Sequence, residues 1–180
     1  MDKKTIISLI IILIGITGLV WWSKSVETEE LSANETSKSH PARTNGGLVA
    51  SETFYDFGTI SMKNGKVSKI FKITNSGTED VNLTKISTSC MCTAAYLITL
   101  DGSKLGPFGM PGHGGTTDMP GHGDSKAGEI ISVSDSRDIE VVYDPNAHGP
   151  AGVGLIERAV FLEDENRNVV EFKFKVNVTP

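Results

Sequence analysis

The chain is poor in several things that would settle a function at once. Its 180 residues include only two cysteines, too few for a multi-disulfide framework, and aromatics make up just 7%. It has no surplus of positive charge. Lys+Arg 17 against Asp+Glu 22 leaves a net charge of -5, so it lacks the basic surface that phosphate backbones need for binding by counterion release, and nucleic acid is excluded as a partner. Catalytic signatures are missing as well. There is no Gly-x-Ser-x-Gly, no His-Glu-x-x-His and no P-loop Lys-Ser/Thr, and Gly152-Val153-Gly154 opens no helix that could cradle a phosphate. A non-enzyme is expected. The length allows one modest domain plus an appendage.

What the chain does have begins with an apolar run. Thr5 to Trp22 are eighteen residues without a charge, about 27 Å as a helix, close to the thickness of a bilayer core. Trp21 and Trp22 close the run as an interfacial belt would, and Lys3 and Lys4 precede it, which places the N-terminus in the cytoplasm and the remainder outside. Residues 1–22 therefore read as a single-pass transmembrane anchor with an extracytoplasmic domain. The alternative is a signal peptide cleaved near Ser23-Lys24-Ser25, which would leave a secreted domain. Residues 23–49 are rich in Ser, Thr, Glu and Asn without a sustained period, the composition of a disordered polar tether. His40 within it reads as a solvated side chain.

From residue 50 the apolar period becomes two and the punctuation is Asn, Gly, Asp and Pro, the pattern of antiparallel strands joined by turns. Strands are expected at Glu52–Phe57, Val67–Thr74, Val81–Ser87, Thr93–Leu100, Gly128–Ser134, Ile139–Tyr143, Leu155–Leu162 and Val169–Val178. The last alternates Val170, Phe172, Phe174, Val176 and Val178 with polar residues, giving one dry and one wet face. No segment in 50–180 carries a helical stripe. Seven or eight short strands predict an all-β sandwich over residues 50–180, with a small closed barrel as the alternative. Asp164-Glu165-Asn166-Arg167-Asn168 is spaced like the start of a calcium loop, but Val169 stands where that loop needs Gly and Lys175 where it needs Glu. It reads as the turn between the last two strands.

Three segments carry a resemblance. Tyr55-Asp56-Phe57-Gly58-Thr59-Ile60, then Val67 to Gly77 ending in Asn75-Ser76-Gly77, then Ser89-Cys90-Met91-Cys92-Thr93 resemble, in order and spacing, the bacterial family called domain of unknown function 1573. Ala127 to Ile130 and Val141 to Asp144 occupy its later positions, so the resemblance covers roughly residues 52–178. It implies an immunoglobulin-like sandwich of the PapD-like or major-sperm-protein-like kind, exported and often membrane-anchored, with no established activity. Met91 departs from the Gly usual in the family. A Gly-rich insertion at 101–127 departs from it too.

Cys90 and Cys92 form the one local chemical unit. On an extended strand they would present both sulfurs to one face, with Cα atoms roughly 6.5–7 Å apart, so that a mutual disulfide requires a bend. Three fates are open: packed core thiols, a reactive disulfide or dithiol, or ligands of a soft metal. The insertion bears on the third. It contains Met-Pro-Gly-His-Gly twice, at Met110–Gly114 and Met119–Gly123, putting Met110, His113, Met119 and His122 close in sequence to the thiols. Thiolate, thioether and imidazole suit Cu(I) first and Zn second. As plain chain, each repeat is a Pro-Gly turn with an exposed His. His148, in the turn Asp144 to Pro150, is a possible additional ligand. Two functions follow: a non-catalytic binding or assembly module for a protein partner outside the cytoplasm, or a soft-metal or thiol-redox protein built on the Cys-x-Cys motif and the repeats.

Overall fold

A computed structural model describes residues 47–112 and 125–180. Among them are ten strands and two single 3-10 turns. One sheet is ordered β1 (Leu48–Ala50), β3 (Val67–Asn75), β8 (Ser136–Tyr143), β5 (Thr93–Ile98) and β6 (Lys104–Phe108). The other is ordered β2 (Phe54–Ser61), β10 (Val169–Thr179), β9 (Gly154–Asp164), β4 (Val81–Thr88) and β7 (Lys126–Ile131). The two pack face to face as a sandwich. Phe71 of the first sheet stacks on Phe172 of the second with ring centroids 4.5 Å apart, and one continuous core runs through both. The expected all-β sandwich is therefore what the chain forms. Among the described residues no helix is long and apolar enough to cross a membrane. The expected N-terminal anchor lies outside the described residues, as does all of the tether except its last three residues.

Alternation explains the strands. In β10 the residues Val170, Phe172, Phe174, Val176 and Val178 are all buried, and β8 buries every second residue from Arg137 to Tyr143. Two strands were not expected. Leu48–Ala50 pairs with β3 where the polar tether was to end, and Lys104–Phe108 pairs with β5 inside the stretch read as a coreless insertion. Gly106 and Pro107 disguise β6, although Phe108 at its end is 3% exposed. One pairing also departs from the antiparallel expectation: β2 lies parallel to β10, because the first long strand and the last meet at the edge of one sheet without a hairpin between them.

Two turns lock the frame through single polar side chains. Asp164 accepts from the backbone N–H groups of Asn166 and Asn168 and from the Asn168 amide, each at 2.8 Å. The calcium-like segment is thus the β9–β10 turn. Asn75, fully buried, donates through Nδ2 to Glu79 O at 2.8 Å and Ile131 O at 2.9 Å, and its Oδ1 accepts from Gly77 N at 3.0 Å. It joins the β3–β4 turn to β7 of the opposite sheet. Asn75→Ala would take the donor from the buried Ile131 carbonyl and the part-buried Glu79 carbonyl and should cost about 1–3 kcal/mol. Asn75→Asp should cost at least as much, since a carboxylate would face two carbonyl oxygens. Urea unfolding of both variants checks this, and wild-type stability in either would refute it.

Candidate thiol and metal site

The cysteines do not sit on an extended strand. β4 ends at Thr88 and β5 begins at Thr93, so Ser89 to Cys92 form the link by which the chain crosses from one sheet to the other. Tertiary bonds bend it. Ser89 N donates to Ala159 O at 2.9 Å and Ser89 Oγ accepts from Ala159 N at 2.9 Å, fixing the start of the link to β9. Asp144 N donates to Cys92 O at 2.9 Å, fixing its end to the residue after β8. Thr93 N closes the turn on Cys90 O at 3.1 Å, and Thr88 Oγ1 donates to the same oxygen at 3.0 Å. This is the bend that joining the two sulfurs requires. The thiols face inward: Cys90 is 8% exposed and Cys92 is sealed.

His148 comes from the turn after β8. Asp144 Oδ1 accepts from Asn146 N at 2.8 Å, and Asn146 Nδ2 donates to Met62 O at 2.9 Å, which pins the turn against the segment after β2. Gly152 packs behind it so closely that a Cβ there would lie 3.3 Å from Pro145 O and 3.5 Å from the His148 Cβ. Held in this way, His148 Nε2 stands 3.1 Å from Cys90 Sγ. Cys92 Sγ is 2.6 Å from Cys90 Sγ, and Cys92 N donates to Cys90 Sγ at 3.4 Å. Arg158 of β9 donates from Nε to Cys92 Sγ at 3.4 Å, with Thr93 Oγ1 3.8 Å from the same sulfur. The two sulfurs and a His148 ring nitrogen all lie within 4.8 Å of one another.

These contacts divide the thiols into unlike halves. Burial pushes Cys90 up, but the Cys92 thiol and N–H, then His148, then the charge of Arg158 outweigh it and bring Cys90 down to about 7. Burial pushes Cys92 up, and sharing its proton with Cys90 pushes it further against the pull of Arg158. Burial, followed by the nearby charge of Cys92, likewise raises the Tyr143 hydroxyl to about 12. Thiolate is the reactive form, so iodoacetamide should modify Cys90 ahead of Cys92 with a half-maximal rate near pH 7, and His148→Ala should move that midpoint upward. A midpoint near 9 in the wild type, read by mass spectrometry of alkylated peptides, would contradict the arrangement.

Of the candidate ligands, the structure brings Cys90, Cys92 and His148 together. Met110 follows Gly109, whose carbonyl accepts from Thr88 N at 3.1 Å, and is half-buried at the root of the repeats without a bond to either sulfur among those described. His113, Met119 and His122 lie outside the described residues. Arg158 was not anticipated. Its one trace in the sequence is the irregular alternation of Ile156, Glu157, Arg158, Ala159 and Val160, in which Ala159 and Val160 are both buried and Arg158 is half-buried. A cleft lined by His148, Gly152, Val153, Leu155 and Arg158 opens onto the two side chains that touch the sulfurs.

Several solved structures are similar to the chain. A protein of unknown function from Porphyromonas gingivalis W83 is 15% identical with a TM-score of 0.49, over 73% of this chain and 46% of that one. The secreted serine protease VesC from Vibrio cholerae is 14% identical with a TM-score of 0.44, over 76% of this chain and 24% of that one. The human CEP192 PapD-like domain 7 is 11% identical with a TM-score of 0.41, over 83% of this chain and 97% of that one. The chain thus spans less than half the length of the first two. No curated protein matches it. In sequence, residues 48–99, which run from β1 through the cysteine turn and β5, match the family model described as "Protein of unknown function (DUF1573)".

Proposed function

We propose that this protein is a non-catalytic, membrane-tethered sandwich outside the cytoplasm whose working site binds a soft monovalent cation, copper(I), through Cys90, Cys92 and His148. The observation that carries the reading is the convergence of two sulfurs and an imidazole nitrogen within 4.8 Å, drawn from turns that the fold fixes on both sides. Thiolate and imidazole donors select soft or borderline metals over hard ones. Charge then separates copper(I) from zinc. Two thiolates and a neutral imidazole leave a copper(I) site at -1, which the Arg158 guanidinium beside Cys92 neutralises. The same set leaves a zinc(II) site at zero, so Arg158 would add an uncompensated positive charge beside two buried sulfurs. Three protein ligands also leave zinc one short of the tetrahedral set of a closed structural site.

The N-terminal anchor segment supports the location. Thr5 to Trp22 form an uncharged span with Lys3 and Lys4 before it, which directs the domain outward. There the sandwich would hold its cation and present it to a partner. The test is elemental analysis of the tether-free domain loaded anaerobically with copper(I) or zinc(II). One copper per chain is expected in the wild type, with loss of that copper in the Cys90→Ala, Cys92→Ala double variant. Equal copper in both proteins would end the proposal.

A further inference from the structure

The site has a second chemistry that metal binding does not use. We propose that Cys90 and Cys92 act as a dithiol in thiol–disulfide exchange, with Cys90 as the attacking sulfur, Cys92 as the resolving sulfur and a disulfide as the oxidant. The proposal shares its residues with the metal reading but does not depend on it, because it rests on the shape of the turn rather than on three-ligand convergence.

Cys90 retains a little exposed surface while Cys92 has none, so an incoming disulfide reaches Cys90 first. A cleft lined by His148 and Arg158, the two side chains that touch the sulfurs, lies beside them. His148 Nε2, 3.1 Å from Cys90 Sγ, takes the thiol proton. The Cys90 sulfur then forms a bond to one sulfur of R–S–S–R, the R–S–S–R bond breaks, and the departing sulfur takes the proton from His148 to leave as R–SH. Cys92 Sγ already lies 2.6 Å from Cys90 Sγ, held there by the turn that Thr93 N closes on Cys90 O. Arg158 Nε–H, 3.4 Å from Cys92 Sγ, stabilises that sulfur as it loses its proton. Cys92 attacks Cys90, the mixed bond to R–S breaks, and a second R–SH leaves with the Cys92 proton. Two electrons pass from the protein to the disulfide, and the protein keeps a Cys90–Cys92 bond.

A consequence for the metal follows. Closing that bond consumes both thiolates, so the oxidised protein cannot hold a soft cation, and an oxidising disulfide would release one already bound.

The experiment uses 5,5′-dithiobis(2-nitrobenzoate) on the reduced protein, with the released thiolate read by absorbance and the product by mass. Wild type should release two thiolates per chain and end without an adduct, lighter by two hydrogens, with Cys90 and Cys92 in one linked peptide. Cys92→Ser should release one thiolate and stop as an adduct on Cys90. Cys90→Ser should react at least about tenfold more slowly, because its remaining thiol is sealed from an incoming disulfide. Wild type carrying two adducts would overturn the proposal, as would equal rates for the two single variants. The wild-type product alone decides the matter if either variant fails to fold. Copper loading of the same preparation separates the two readings: copper bound by a protein that ends doubly capped removes the exchange activity alone, and clean closure without copper binding removes the metal site alone.

Discussion

Replacing Arg158 with Gln should raise the ratio of zinc to copper(I) affinity by about fivefold to 150-fold. The effect comes from charge alone. Two unit charges about 4 Å apart interact by roughly 4 kcal/mol at an effective dielectric constant of 20. Arg158 is half-buried and reaches the site through Cys92 Sγ at 3.4 Å, so a bound cation lies farther from it than the sulfur does and solvent weakens the term. About 1–3 kcal/mol per unit charge is then a reasonable range. A divalent ion feels that repulsion twice and a monovalent ion once, so removing the guanidinium favours zinc over copper(I) by one such increment, and 1.4 kcal/mol is tenfold. Gln is the better probe than Ala because it keeps a donor and much of the side-chain volume. Competition against chelators of known affinity, measured for both ions in both proteins, gives the ratio directly. A ratio unchanged by the substitution would mean that Arg158 does not set the charge of the site.

The readable parts of this protein were those whose causes lie within a few residues. The dry face of β10 follows from its alternation. The turns at Asn75 and Asp164 follow from side chains that bond to backbone two to four positions away. The resemblance in the segments around Tyr55, Asn75 and Cys90 pointed to the sandwich because each falls at a strand or turn that the fold needs. The site depends on longer connections. Cys90 meets His148 across 58 residues and Cys92 meets Arg158 across 66, and no local pattern pairs them. Cys90 and Cys92 fall between the strands expected at Val81–Ser87 and Thr93–Leu100, and Ser87 to Thr93 has no Gly or Pro to announce the bend between them. The bend is imposed instead by Ala159 of β9 and by Asp144, just after β8. β6 was missed for the opposite reason, since Gly106 and Pro107 are breakers by composition yet sit in a short strand at the sheet's edge, where Pro is tolerated. The parallel pairing of β2 with β10 joins strands from the two ends of the domain, which periodicity cannot encode.

Phe172→Ala should cost about 3–5 kcal/mol, against a total stability of about 5–15 kcal/mol for a domain of this kind. Phe172 and Phe71 are each 1% exposed and stack nearly parallel, with an interplanar angle of 10°. Their pair is a direct contact between the two sheets. Truncation removes the buried ring, its dispersion contacts and the stacking partner of Phe71 together, and a close-packed sandwich collapses only partly into the space left. Phe172→Leu should lose less, because it retains much of the volume. Leu155, near the start of β9 and 72% exposed, is the matched control: Leu155→Ala removes an apolar side chain from the same sheet but should change stability by no more than about 0.5 kcal/mol. Denaturant midpoints at constant slope give all three values. If Phe172→Ala and Leu155→Ala came out equal, the aromatic contact between the sheets would not be a principal source of the sandwich's cohesion.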